Sequence, residues 1–130
     1  MFQESHWSPL TGTDCQDSTR HQVNLALEAL RTPREERLSF LFVNVSATHT
    51  PHFGYLAGAS EDSWESQSAA LSYADGQLGR LFDALPEHGS WLVLMCGDHG
   101  EAFGEDGHNG HGIAHPAVWS VPYAESLLPG

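Results

Sequence analysis

Two short apolar runs separated by one long amphipathic segment leave this chain few folds to choose from. Residues 38–45 and Trp91–Cys96 are rich in aliphatic, aromatic and β-branched side chains at strand length, the pattern of strands buried on both faces. Between them Leu71, Ala74, Leu78, Leu81, Phe82 and Leu85 make one helical stripe, with Asp62 or Ser63 placed to start the helix and Pro86 and Gly89 beyond its end. Strand, helix, strand in this order predict a right-handed βαβ unit with parallel strands, hence an α/β fold in which helices cover a three-layer, βαβ-based sheet. Gly76 and Gly79 each weaken the helix by about 1 kcal/mol relative to alanine, which predicts close packing against the sheet as compensation.

The flanks complete the plan. Residues 1–20 are polar and turn-rich and read as a lead-in loop. A first helix is predicted from Ser18, with Val23, Ala26, Leu27 and Leu30 on its apolar face, Asp17 or Ser18 as cap and Pro33 just past its end. A weaker strand is predicted around 118–121. At 130 residues the chain is one domain's worth of sequence, 1–130.

Charge and composition exclude several classes of partner. Five basic against seventeen acidic residues give a formal charge of −12, so this acidic surface repels a phosphate backbone and nucleic acid is not an expected partner. No apolar run reaches the ~18–20 residues that span a bilayer, and the opening residues lack the basic-then-apolar order of a secretory signal. Cys15 and Cys96 form no CxxC pair, and Cys96, ending an apolar strand, reads as a small buried hydrophobe. A reducing cytoplasm is the expected location. The sequon-like Asn44-Val45-Ser46 falls in a predicted buried strand and carries little weight.

The chemistry lies where the second apolar run ends. Gly97-Asp98-His99-Gly100-Glu101 follows Trp91–Cys96 directly, and four of the nine histidines (His99, His108, His111, His115) fall within seventeen positions. An acid and an imidazole at the mouth of a strand can aim oxygen and nitrogen at one cation. In parallel α/β sheets ligands bind beyond the carboxyl ends of the strands, and the loop after the first run, 46–52, also carries histidine, His49 and His52. Although His108, His111 and His115 have helical spacing, Gly107, Gly110, Gly112 and Pro116 predict a loop that folds back over the Asp98-His99 site. His111, between two glycines, is the better functional candidate; His108 and His115 are equally well read as packing residues.

At these residues the chain resembles the sulfatase branch of the alkaline phosphatase superfamily. DHGEAFGEDG is similar to the family's DHG-x-x-x-G-x-x-G segment, His111 and Val121-Pro122 fall at the family's spacing beyond it, NVSATHTPH resembles its strand and PHxP-type loop, and YADGQLGRLFDAL its preceding helix. The resemblance covers about residues 38–123. It implies a partial alkaline-phosphatase/sulfatase-like fold, with 21–130 the C-terminal portion of such a domain.

For the site, the resemblance implies Asp98 and His99 as metal ligands and His49 as a contact of the substrate anion. His111 would contact the transferred group, ligate a second metal or protonate the leaving oxygen; His115 is a further candidate ligand. The implied cofactor is a divalent metal, Zn, Mn, Ca or Mg, and the implied substrate a small sulfate or phosphate ester, hydrolysed by in-line displacement. Cys15-Gln16-Asp17-Ser18-Thr19-Arg20 lacks the proline and the spacing of the sulfatase CxPSR motif, and neither a nucleophile nor further metal-binding acids are found. The expectation is an incomplete catalytic unit, weak or silent alone, with self-association or a missing N-terminal half. The alternative is a non-catalytic metal-binding or interaction domain derived from such an enzyme.

Overall fold

The computed structural model describes residues 4–32 and 38–130. Its main elements are α1 (Ser18–Arg31), α2 (Trp64–Ala84), β1 (Trp91–Cys96), β2 (Ala102–Phe103), β3 (Asn109–Gly110), α3 (Pro116–Trp119) and β4 (Tyr123–Leu128). They fall in two compact units, Met1–His88 and Gly89–Gly130. Among the described residues no helix is long and apolar enough to cross a membrane.

The first unit is helical. α1 begins at Ser18 after Asp17 and buries Ser18, Thr19, Val23 and Ala26, while α2 buries Ser66, Ala70, Ala74 and Leu81. These two helices pack on each other through small side chains that allow close approach. Pro33, predicted to end α1, lies outside the described residues.

A capping box starts α2: Ser63 Oγ accepts from the Ser66 N–H at 3.2 Å, and Ser66 Oγ accepts from the Ser63 N–H at 2.8 Å. Asp62 Oδ1 accepts the His52 and Phe53 N–H groups, each at 2.7 Å. His52 is fully buried with Nδ1 2.9 Å from Ser66 Oγ, so this imidazole joins its loop to the start of α2.

Several expectations about α2 and its neighbours are corrected. Leu71, assigned to the apolar stripe, is exposed, and a Cβ at Gly76 or Gly79 would meet nothing within 4 Å, so neither glycine serves close packing. Residues 38–45 form no strand. Exposure alternates along 40–45, as it does for a half-buried extended chain, but no ladder pairs with it. Part of its hydrogen bonding goes to a side chain of α1 instead: Gln22 Nε2 donates to the Asn44 carbonyl at 2.7 Å, and also to the Thr11 carbonyl at 2.9 Å. Asn44, expected inside a strand, is exposed.

The second unit holds both sheets, and both are antiparallel. β1 pairs with β4 from Trp91↔Leu128 to Cys96↔Tyr123, and β2 pairs with β3 through Ala102↔Gly110 and Phe103↔Asn109. The predicted parallel βαβ sheet is therefore absent from the strand pairings of the described residues: β1 finds its neighbour later in the chain, not earlier. The strand predicted near 118–121 is instead α3, followed by β4. Pro116 at the first turn presets a helical φ, and His115 accepts the Ala117 N–H on Nδ1 at 3.1 Å, a cap that sequence rules do not associate with histidine. β1 is not buried on both faces, since Leu92, Leu94, Met95 and Cys96 are all exposed. Mixed helix and antiparallel strand is the observed architecture.

Candidate metal centre

β1 ends at Cys96 and the chain turns immediately into Gly97-Asp98-His99-Gly100-Glu101. Two backbone bonds hold this turn: Gly97 N–H donates to the Pro122 carbonyl at 3.1 Å, and Gly100 N–H donates to the Val118 carbonyl at 2.7 Å. A Cβ on Gly100 would lie 2.0 Å from the Ala117 carbonyl oxygen, so α3 sits as close to this loop as backbone contact allows.

Register places the next donors. With Ala102 opposite Gly110 and Phe103 opposite Asn109, continuing the antiparallel ladder by one step sets Glu101 opposite His111. Tight reversal of the hairpin uses left-handed backbone at Gly104 (φ 117°), Asp106 (φ 51°) and Gly107 (φ 78°). Glu101 Oε2 then accepts from His111 Nδ1 at 2.7 Å, with Glu101 mostly buried and His111 partly exposed. The His111 ring stacks on His99, centroids 4.3 Å apart and planes at 27°.

The His99 tautomer follows from its partner. His99 Nδ1 lies 3.0 Å from the Gly100 carbonyl oxygen, which can only accept, so Nδ1 carries a proton and in the neutral ring the lone pair is on Nε2. One donor atom from each of His99, Glu101 and His111 lies within 4.8 Å of the other two. Two imidazoles and a carboxylate are a donor set that fits a divalent metal.

Other predicted residues sit differently. Asp98 is exposed, its Oδ1 accepts the His99 N–H at 3.0 Å, and it is not part of the three-residue cluster. His115 has both ring nitrogens engaged, Nδ1 in the α3 cap and Nε2 at 3.1 Å from Asp106 Oδ2. His108 is exposed, with its ring 5.5 Å from that of His115. His49 is exposed in the first unit, with Nδ1 beside the Thr50 carbonyl. Glu101 is the residue sequence reasoning missed; its signal was the glycine-punctuated hairpin between 101 and 111, which sets those two residues across from one another.

The family model described as Sulfatase matches residues 1–126. This chain belongs to the sulfatase family. The match reaches beyond the 38–123 span of the recognised motifs and takes in the lead-in loop and α1, so nearly all of both units lies within the sulfatase region. No curated protein and no solved structure matches the chain.

Proposed function

We propose that this sulfatase-family chain carries the metal-binding loop of a hydrolase acting on small sulfate or phosphate esters. The observation that supports this best is the proximity of His99 and His111, two residues singled out by the family motif, whose rings stack 4.3 Å apart and which with Glu101 offer donor atoms within 4.8 Å of one another. In this reading Asp98 and His99 serve as ligands, His111 belongs to the same centre, and His49 binds the anion of the ester. A bound divalent ion supplies positive charge to the non-bridging oxygens of the transferred group. The chain's part is positional: the Gly100 carbonyl holds the His99 ring by its Nδ1 proton, and Glu101 holds the His111 ring.

Because no nucleophile was found in the sequence, turnover by this chain is expected to be weak. The test is hydrolysis of nitrophenyl sulfate and nitrophenyl phosphate with and without added Mn²⁺, Zn²⁺, Ca²⁺ or Mg²⁺. Weak, metal-stimulated release of nitrophenol that disappears in Asp98→Ala supports the hydrolase. Background rates in parent and variant alike, with metal still bound, would favour a non-catalytic metal-binding domain.

A further inference from the structure

The helical unit carries a cavity of its own. Residues 13–17, just ahead of α1, line it on one side and Pro51, Phe53, Gly54 and Tyr55 on the other, enclosing about 540 Å³, a volume in the range of small-molecule sites. We infer that this cavity binds a small organic monocation, an amine or quaternary ammonium group on an apolar body, with Phe53 and Tyr55 as its aromatic wall and Asp14 as its countercharge. The site is independent of the ester chemistry proposed above.

The two linings are fastened to each other. Tyr55 donates its phenol proton to the Gln16 carbonyl at 2.6 Å, and a Cβ on Gly54 would fall 1.7 Å from Gln16 Nε2, so the segments are in direct contact. Asp62 Oδ1 accepts the Phe53 N–H at 2.7 Å and fixes the backbone beneath that ring. A wall built in advance keeps the ordering cost of binding low.

Ring surface is available on this wall. Tyr55 already packs on Tyr73, centroids 5.1 Å apart, whereas Phe53 is 38% exposed and offers the freer face. A cation over such a face is attracted by the ring quadrupole, which at an exposed site raises affinity about two- to fivefold.

Charge decides the sign of the ligand. Asp17 pairs with Arg20 at 2.6 Å, so those two charges offset each other and the guanidinium is not free to receive an anion. Asp14 has no ion pair among the described residues, which leaves the lining with one uncompensated carboxylate. Burial raises the Tyr55 phenol, and Cys15 and Asp17 add to the rise, as they do where the local potential is negative. A divalent metal is poorly served here: among the described residues the cluster of three possible ligands is His99, Glu101 and His111, and none of these lines the cavity. One carboxylate beside aromatic rings suits a single, weakly hydrated positive charge.

Chemical-shift titration of the full 130-residue chain with benzyltrimethylammonium, without added metal, tests this, with benzyl alcohol and benzoate as neutral and anionic counterparts. Saturable shifts at Gln16, Phe53 and Tyr55 are expected with the cation, binding about fivefold weaker with the alcohol, and no saturation with benzoate. Phe53→Leu, which keeps apolar bulk and removes the ring, should lower cation affinity about two- to fivefold. Asp14→Asn should lower it about threefold and remove most of its salt dependence. Asp83→Asn is the control, an equal change of charge at an exposed position of α2 outside the lining, and should leave affinity unchanged. Circular dichroism checks that each variant is folded. Equal affinity for cation, alcohol and anion would overturn the inference, as would equal losses in Asp14→Asn and Asp83→Asn, which would assign the attraction to overall charge. Absence of saturable shifts in the parent chain would overturn it too, and none of these outcomes touches the hydrolase reading.

Discussion

Gly100 has room for a hydrogen and nothing larger, because a Cβ there would meet the Ala117 carbonyl at 2.0 Å and that oxygen belongs to backbone that cannot swing aside. Gly100→Ala should therefore push α3 away from the loop and cost about 1–3 kcal/mol, the range for overpacking. Denaturant unfolding would read the stability loss, and any affinity for a divalent metal should fall with it, since the carbonyl that orients His99 is on the same residue. A stable variant with unchanged metal affinity would show that the loop is softer than its contacts suggest. Gly76 is the opposite case. It lies inside α2 with nothing within 4 Å of an added methyl, so Gly76→Ala should raise stability by about 0.5–1 kcal/mol through helix propensity and a less flexible unfolded chain. Unfolding at lower denaturant than the parent would contradict that.

At the scale of elements, the contact between α1 and the region around α2 is fastened by two tyrosines. The Tyr55 and Tyr73 rings lie 5.1 Å apart; Tyr55 donates to the Gln16 carbonyl at 2.6 Å, and Tyr73 Oη accepts the Arg20 N–H at 3.3 Å. Burial pushes both phenols above the usual tyrosine value, with nearby acidic groups adding to the rise. Their contribution to stability is thus fully present below about pH 10 and is lost as pH rises through the elevated values, because the unfolded chain ionises first. Melting of the helical signal should fall steeply above that pH, and less steeply in the Tyr55→Phe/Tyr73→Phe pair; equal slopes would remove the tyrosines from the account. Both long helices were legible from sequence, since caps and apolar spacing are local, whereas α3 was misread as strand because its cap is the imidazole of His115.

For the whole molecule, the β1–β4 ribbon presents an apolar face. Cross-strand pairing sets Leu92 beside Leu127 and Leu94 beside Glu125, and the three leucines are 64%, 71% and 58% exposed in that order. A contiguous face of this kind favours association. The formal charge of −12 opposes it until salt screens the repulsion. Sedimentation should therefore show self-association that grows with ionic strength and is reduced in Leu92→Lys. Parent and variant sedimenting alike as monomers at every salt concentration would rule this face out as the cause.

What the amino-acid order determined by itself is what depends on near neighbours: the start and span of α1 and α2, the limits of β1, and the glycine-flanked Asp98-His99 exit that carries the family motif. Strand pairing was decided only in three dimensions, because an apolar run records that a strand is favourable and not which partner completes its hydrogen bonds. That is why β1 pairs antiparallel with β4 and 38–45 pairs with no strand in the described residues. The same holds at the site. Asp98 and His99 are adjacent in sequence, but the cluster is His99 with Glu101 and His111, brought together by the β2–β3 register and the stacking of two rings. Which side chains stand together in space is a question of cross-strand geometry, and only the folded hairpin answers it.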